Sequence, residues 1–216
     1  MEPVTFILTS SNRFDLLCQT IDSFMAVNEY PISKFIINED SGNKECANKI
    51  LKRYGDYMHV LFHPKREGLS KAIDTLIRNV DTEYVFTCED DWLFENNRNF
   101  IAESLTIVQS NPHIHQVWIR KNTDHAHPLG KTYSINGVYV RDVMKGYQGH
   151  WGGFTFNPSL HRMTDIKRMF PNGFTEYGDE ADCSKHAEKI GYKAVSLLNH
   201  ACKHIGWGRH TENFKV

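Results

Sequence analysis

Along the first half of the chain, short apolar runs alternate with longer stretches in which apolar residues recur every three or four positions. Val4-Thr-Phe-Ile-Leu-Thr9 reads as a strand, Ser10-Ser-Asn-Arg13 as a polar loop, and Phe14, Leu17, Ile21, Phe24 and Met25 as one helical face. The unit recurs. Phe35-Ile-Ile37 ends on Asn38-Glu-Asp-Ser-Gly42, and a helix over Lys44 to Tyr54 stops at Gly55. His59-Val-Leu-Phe62 leads through Pro64-Lys-Arg-Glu-Gly68 into a helix from Leu69 to Asn79, with Ala72, Ile73, Leu76 and Ile77 on one face. A fourth strand, Tyr84 to Cys88, runs into three acids, and a helical pattern starts near Arg98 with Asn96 or Asn97 as its cap. Strands alternating with helical segments predict right-handed βαβ crossovers and a mostly parallel central sheet flanked by helices. The expected fold class is α/β and Rossmann-like, with residues 1–110 as a nucleotide-binding half.

The second half changes character. After Gln116-Val-Trp-Ile119, the segment 121–150 is rich in Gly, His and polar residues and is expected to be loop-rich and partly antiparallel. It holds one hairpin signal, Asn136-Gly137 between Tyr133-Ser-Ile135 and Val138-Tyr-Val140. Asn157-Pro158 predicts an N-cap and a first-turn proline for a helix over Leu160 to Met169. A further helix is expected from Asp179 to Ile190, ended by Gly191, before a strand over Ala194 to Leu198. Neither repeats nor a linker interrupt the pattern, so residues 1–216 are expected to form a single domain in two parts, 1–110 and 111–216.

Composition narrows the partners. Lys plus Arg number 25 against 26 Asp plus Glu, which gives no whole-chain reason to expect a nucleic-acid or membrane surface. The five cysteines (Cys18, Cys46, Cys88, Cys183 and Cys202) are scattered and read as reduced thiols. With no signal-peptide pattern and no long apolar run, the expected location is soluble and cytoplasmic.

The densest chemistry is Glu89-Asp90-Asp91-Trp92, immediately after the fourth strand. Ligands of open α/β sheets collect beyond the carboxyl ends of strands. Carboxylates clustered there repel one another unless a cation neutralises them, and hard oxygen donors suit Mg²⁺ or Mn²⁺ shared with a phosphate. An acidic turn capping the next helix would use the same residues.

The order of motifs then carries a resemblance. Phe6-Ile-Leu-Thr-Ser-Ser-Asn-Arg13, Ile36-Ile-Asn-Glu-Asp-Ser-Gly42, Gly68-Leu-Ser-Lys-Ala72, Glu89-Asp-Asp91, Tyr177-Gly-Asp-Glu-Ala-Asp182 and Gly191-Tyr192 together resemble the glycosyltransferase-A fold. More narrowly, they resemble the nucleotide-sugar-dependent inverting transferases of family 2, over residues 4–207. The resemblance implies a metal-dependent transferase that moves a sugar from a nucleoside diphosphate sugar, UDP favoured over GDP, to an acceptor hydroxyl.

Its residue roles follow by position. Thr9, Ser10, Asn12 and Arg13 would lie against the nucleotide, and Asp40 would accept a hydrogen bond from the base. Gly68 would let the backbone approach the nucleotide, and Lys71 would meet a phosphate. Asp90 would contact ribose, and Asp91 would ligate Mn²⁺ or Mg²⁺, with Glu89 behind them. A strict D-x-D is absent. His204 matches a second metal ligand of metal-dependent relatives, with His200 and His210 as nearby competitors. For the general base, alignment favours Glu180 and residue type favours Asp179; both acids also suit a helix N-terminus.

Gln148-Gly-His-Trp-Gly-Gly-Phe154 has the glycines and aromatics of a sugar pocket, so Trp151, Gly152, Gly153 and Trp92 are candidate sugar or acceptor contacts. Three other readings fit less well. A sugar-nucleotide pyrophosphorylase or a dinucleotide-binding dehydrogenase lacks its Gly-rich loop here, and a carbohydrate-binding module does not need two separate acidic sites. The acceptor is not legible. Five Lys or Arg, five His and two acids between His113 and His150 make an acidic glycan or a modified nucleic-acid base conceivable, although a solvated loop is the simpler account.

Overall fold

The structure, a computed structural model, describes residues 1–124, 127–146 and 153–209. Its main sheet has nine strands in the order β3-β2-β1-β4-β9-β6-β10-β8-β7 among the described residues. β1 (Val4–Ser10), β2 (Lys34–Glu39), β3 (His59–Phe62) and β4 (Tyr84–Glu89) are parallel, joined by α1 (Phe14–Val27), α2 (Lys44–Tyr54) and α3 (Leu69–Arg78). This is the expected βαβ half. Because β1 lies between β2 and β4, the chain reverses direction across the sheet at β1, and the carboxyl ends of β1 and β4 open one crevice.

Strand alternation divides the core between the two sheet faces. Phe6 and Leu8 of β1 pack with Leu17, Phe24, Phe86, Phe94 and Phe100, whereas Ile7 joins Ile36, Ile73, Val85, Phe154 and Phe170. Phe6 and Phe86 stack across the β1–β4 pair at 5.7 Å between ring centres. Burial of each such ring contributes roughly 1.5–3 kcal/mol.

The second half is mixed. β6 (Ile114–Trp118) and β10 (Lys193–Leu197) pair in parallel, and the expected hairpin is present as β7 (Leu129–Ile135) and β8 (Val138–Val143), with Asn136 and Gly137 both at positive φ. α4 (Phe100–Ser110) starts two residues later than its pattern suggested, and Asn97 Oδ1 accepts the Asn99 N–H ahead of it.

One element departs from the expectation. The helix predicted from Leu160 begins only at Met163, as α5 (Met163–Met169), because Ser159–Arg162 forms β9 between β4 and β6. Antiparallel pairing on both sides buries Leu160 and His161 on opposite faces, so tertiary pairing overrides the cap signal of Asn157-Pro158. α6 (Glu180–Lys189) follows a 3-10 turn over Phe174–Tyr177.

A second, two-stranded sheet was not foreseen. β5 (Trp92–Phe94) and β11 (Cys202–His204) pair antiparallel, with His204 opposite Trp92. Three-residue strands are too short to show a period, yet this pair brings the end of the chain back to the acids after β4. Among the described residues, no helix is long and apolar enough to cross a membrane.

Candidate active site

The loop leaving β1 closes on the acids leaving β4. Asn12 sits at φ 58, a left-handed conformation that asparagine tolerates, and its N–H donates to Glu39 Oε1 at 3.1 Å. That turn aims Arg13 across the crevice. Its guanidinium bonds Asp90 through Nε (3.3 Å) and through Nη2, and reaches Asp91 Oδ2 through Nη1 at 2.8 Å. The Ser11 N–H also donates to Asp90 at 3.3 Å. Thr9 and Ser10 lie within β1 and are buried, so they shape the floor of the crevice rather than its open face.

The three acids differ in environment. Burial, then repulsion from Asp91, Glu180 and Asp90, pushes the Glu89 carboxyl up to about 8. Burial likewise lifts Asp90 to about 6 against the pull of Arg13. For Asp91 burial works in the same direction, but hydrogen bonding and charge from His204 and Arg13 outweigh it and hold the carboxyl below its ordinary range. Of the three, Asp91 is the one whose carboxyl is pulled down rather than up.

His204 arrives from β11, its Nε2 3.3 Å from Asp91 Oδ2, while its backbone N–H donates to Asp124 Oδ2 at 2.9 Å. Ile205 N–H bonds the Asp91 carbonyl at 2.9 Å, and a Cβ on Gly206 would lie 2.4 Å from Asp91 Oδ2. Asp91 Oδ1 is buried without a hydrogen-bond partner among the described residues. An orphaned carboxylate oxygen beside an imidazole fits a divalent cation, and a mixed O/N donor set suits Mn²⁺ more than Mg²⁺. No group of three or more His, Cys, Asp or Glu suited to a metal occurs among the described residues. A metal held by Asp91 and His204 would need its remaining ligands from a bound phosphate or water.

On the β2 side, Asp40 accepts the Glu67 N–H at 2.9 Å and the Gly68 N–H at 2.8 Å. This ties the end of β2 to the turn before α3, where Gly68 takes φ +93, and burial raises the Asp40 carboxyl. Lys71 is exposed and paired with Glu67 at 2.7 Å.

The structure separates the two candidate bases. Asp179 is exposed and caps α6, accepting the Asp182 N–H at 2.9 Å. The Glu180 carboxylate turns inward. Its Oε1 accepts the Thr155 hydroxyl and the Phe156 N–H (2.9 Å), and burial raises its carboxyl against the pull of Thr155, Phe156 and Arg120.

Two of the sugar-contact candidates lie inside the fold. Trp92 is 1% exposed, with its backbone N–H donating to Thr20 Oγ1 and its ring packed in the core. Gly153 is buried with φ +102, and a Cβ there would meet Ala194 at 2.9 Å. Its glycine serves close packing on β10. Trp151 and Gly152 lie outside the described residues. Sequence reasoning gave no site role to Thr155, Arg120 or Gly206, and read Asn157 only as a helix cap, because their contacts with the acids arise from tertiary packing.

No curated protein sequence matches the chain. Its fold is that of a mannosyltransferase from Pyrobaculum calidifontis, solved with GDP-Man and Mn²⁺ (TM-score 0.67, 17% identity, 96% of this chain and 58% of that one). Similar in the same way are GalNAc-T7 with UDP, GalNAc and Mn²⁺ (0.69, 13%, 94% and 44%) and residues 1–349 of S. aureus TarS with UDP-GlcNAc (0.67, 12%, 97% and 60%). The chain thus spans about half the length of these proteins. The model of the family described as glycosyl transferase family 2 matches residues 5–159. With most of the chain inside that match and a glycosyltransferase-A architecture around it, this protein belongs to glycosyl transferase family 2.

Proposed function

We propose that the protein transfers a sugar from a nucleoside diphosphate sugar, a UDP-sugar in preference to a GDP-sugar, to an acceptor hydroxyl, with inversion and with a divalent cation. The observation that carries this reading is the meeting of Arg13, Asp90, Asp91 and His204 at the carboxyl ends of β1 and β4. Asp91 and His204 would hold Mn²⁺ or Mg²⁺, which when bound offsets the charge of the diphosphate leaving group. Arg13 would hold the diphosphate, Asp90 the ribose, and Asp40 with the Gly68 backbone the base.

Glu180 is the proposed general base. Its Oε1 is already engaged by Thr155 and Phe156, which orients the carboxylate. In the proposed step the acceptor O–H proton passes to Glu180, the acceptor oxygen bonds the anomeric carbon, and the electrons of the breaking C–O bond go to the diphosphate oxygen. Asp179 would serve α6 as its cap. Nucleotide release from a panel of UDP- and GDP-sugars with Mn²⁺ tests the reading, and the anomeric configuration of the isolated product tests inversion. Absence of nucleotide release from every donor, with acceptor mixtures supplied, would count against a transferase.

A further inference from the structure

After β11 the chain turns along the acidic strand end in residues 205–209. The Ile205 N–H donates to the Asp91 carbonyl at 2.9 Å, and Gly206 packs on the Asp91 side chain. The Arg209 N–H then closes a turn on the Gly206 carbonyl at 3.0 Å, with Gly208 at φ +76. The far end is tied as well. Arg13 Nη1 donates to the Arg209 carbonyl at 3.3 Å, and the Arg209 guanidinium holds Asp15 through Nη1 (2.5 Å) and Nη2 (3.0 Å). Trp207 stands at the tip of this anchored turn.

Of the three described tryptophans, Trp92 and Trp118 are buried and Trp207 is 64% exposed. The Trp207 ring lies edge-on to that of His204, 4.7 Å between centres at 88°, and His204 also meets the buried Trp92 ring at 5.1 Å. The imidazole proposed to hold the cation is thus packed on a buried indole, with an open indole beside it. An indole left in water forgoes the burial that so large a ring gains. One held on an anchored turn also loses little freedom when a ligand covers it. The flat C–H face of a pyranose supplies such a cover.

We propose that Trp207 is a platform for the sugar ring of the donor, stacking on it beside the cation site. The inference rests on the nucleoside diphosphate reading of Asp91 and His204. Two placements favour the donor sugar over the base and the acceptor. Asp40, the proposed partner of the base, follows β2, which lies across β1 from β4, whereas Trp207 adjoins His204. Glu180, to which the acceptor hydroxyl must come, belongs to α6, whose Cys183 and Ala187 pack on the sheet face of Ile7 and Phe154. The β5–β11 pair that leads to Trp207 packs on the opposite face, with Trp92 and Cys202 in the cluster of Phe24 and Phe86. The donor ring that follows the diphosphate, away from the base, is the sugar.

The test titrates UDP-glucose, UDP-N-acetylglucosamine, GDP-mannose, UDP and GDP into the protein by calorimetry with Mn²⁺. For the sugar nucleotide that the parent binds most tightly, Trp207→Ala should weaken affinity about tenfold, the upper end for one stacked ring, and leave the matching diphosphate within about twofold of the parent. Trp207→Phe, which keeps a flat ring, should recover most of the loss. Equal weakening of the sugar nucleotide and its diphosphate overturns the proposal, because Trp207 would then serve only to support His204. No weakening of either overturns it too, because the ring would then touch no part of the donor. A parent that binds none of the five probes is a separate outcome: it rejects the donor reading of the site and the platform with it.

Discussion

Asp91 Oδ2 and His204 Nε2 lie 3.3 Å apart across the β5–β11 pair, with Gly206 packed so closely that a methyl group there would sit 2.4 Å from the same carboxylate oxygen. Gly206→Ala should therefore disturb the candidate metal site without removing a ligand. Mn²⁺ affinity, read from free-ion electron paramagnetic resonance, should fall by about ten- to a hundredfold, the scale for disrupted groups supporting metal ligands. Unaltered Mn²⁺ binding would remove Asp91 and His204 from the metal assignment.

Arg13 pairs with both Asp90 and Asp91, so a cation at Asp91 and the guanidinium compete for one carboxylate. Arg13→Ala should bind Mn²⁺ alone at least as tightly as the parent yet bind UDP with Mn²⁺ about tenfold or more weakly, because the charge-assisted contact to diphosphate is gone. Asp91→Ala should lose both. Parallel losses of Mn²⁺ and UDP in Arg13→Ala would indicate that Arg13 supports the site structurally.

Glu180→Gln should retain nucleotide binding and lower transfer by about 10²–10⁴-fold, the usual worth of a general base. Asp179→Ala should instead lower stability and spare transfer. Removing the α6 cap costs about 1 kcal/mol of stability, seen as a lower Tm, while transfer at a temperature well below unfolding stays near the parent's. Transfer kinetics of the two variants, with thermal unfolding beside them, distinguish these roles.

Glu95, just beyond β5, bonds Lys121 and Lys203, and these hold its carboxyl down at about 2 instead of 4.5. A depressed carboxylate stabilises the fold fully above the unfolded value, and that contribution fades as pH falls through the folded one. Glu95→Gln should thus lower Tm at neutral pH, with the gap to the parent closing between about 4.5 and about 2. A gap that stays constant across that window would mean that the two lysines contribute nothing electrostatic.

The βαβ half was legible because Val4–Ser10, Lys34–Glu39 and Tyr84–Glu89 are apolar runs long enough to show that they are buried on both faces. The acidic strand end was visible for the same reason. What stayed hidden depends on tertiary pairing. β9 is four residues whose partners lie far along the chain, and β5 and β11 are three each. Trp92 illustrates the difficulty: an aromatic beside an acidic motif suits a sugar platform or a core, and only the β5–β11 pairing, which turns the ring inward, decides. Glu180 and Asp179 could not be separated by sequence because the cap geometry that engages Asp179 exists only once α6 is formed.

The central claim is a nucleoside diphosphate site completed by a divalent cation at Asp91 and His204. Calorimetric titration of UDP and of GDP, first with Mn²⁺ and then with excess chelator, tests it most directly. The account predicts binding of UDP in preference to GDP with Mn²⁺, abolished by chelator. Binding of neither nucleotide, or UDP binding untouched by chelator, would contradict it.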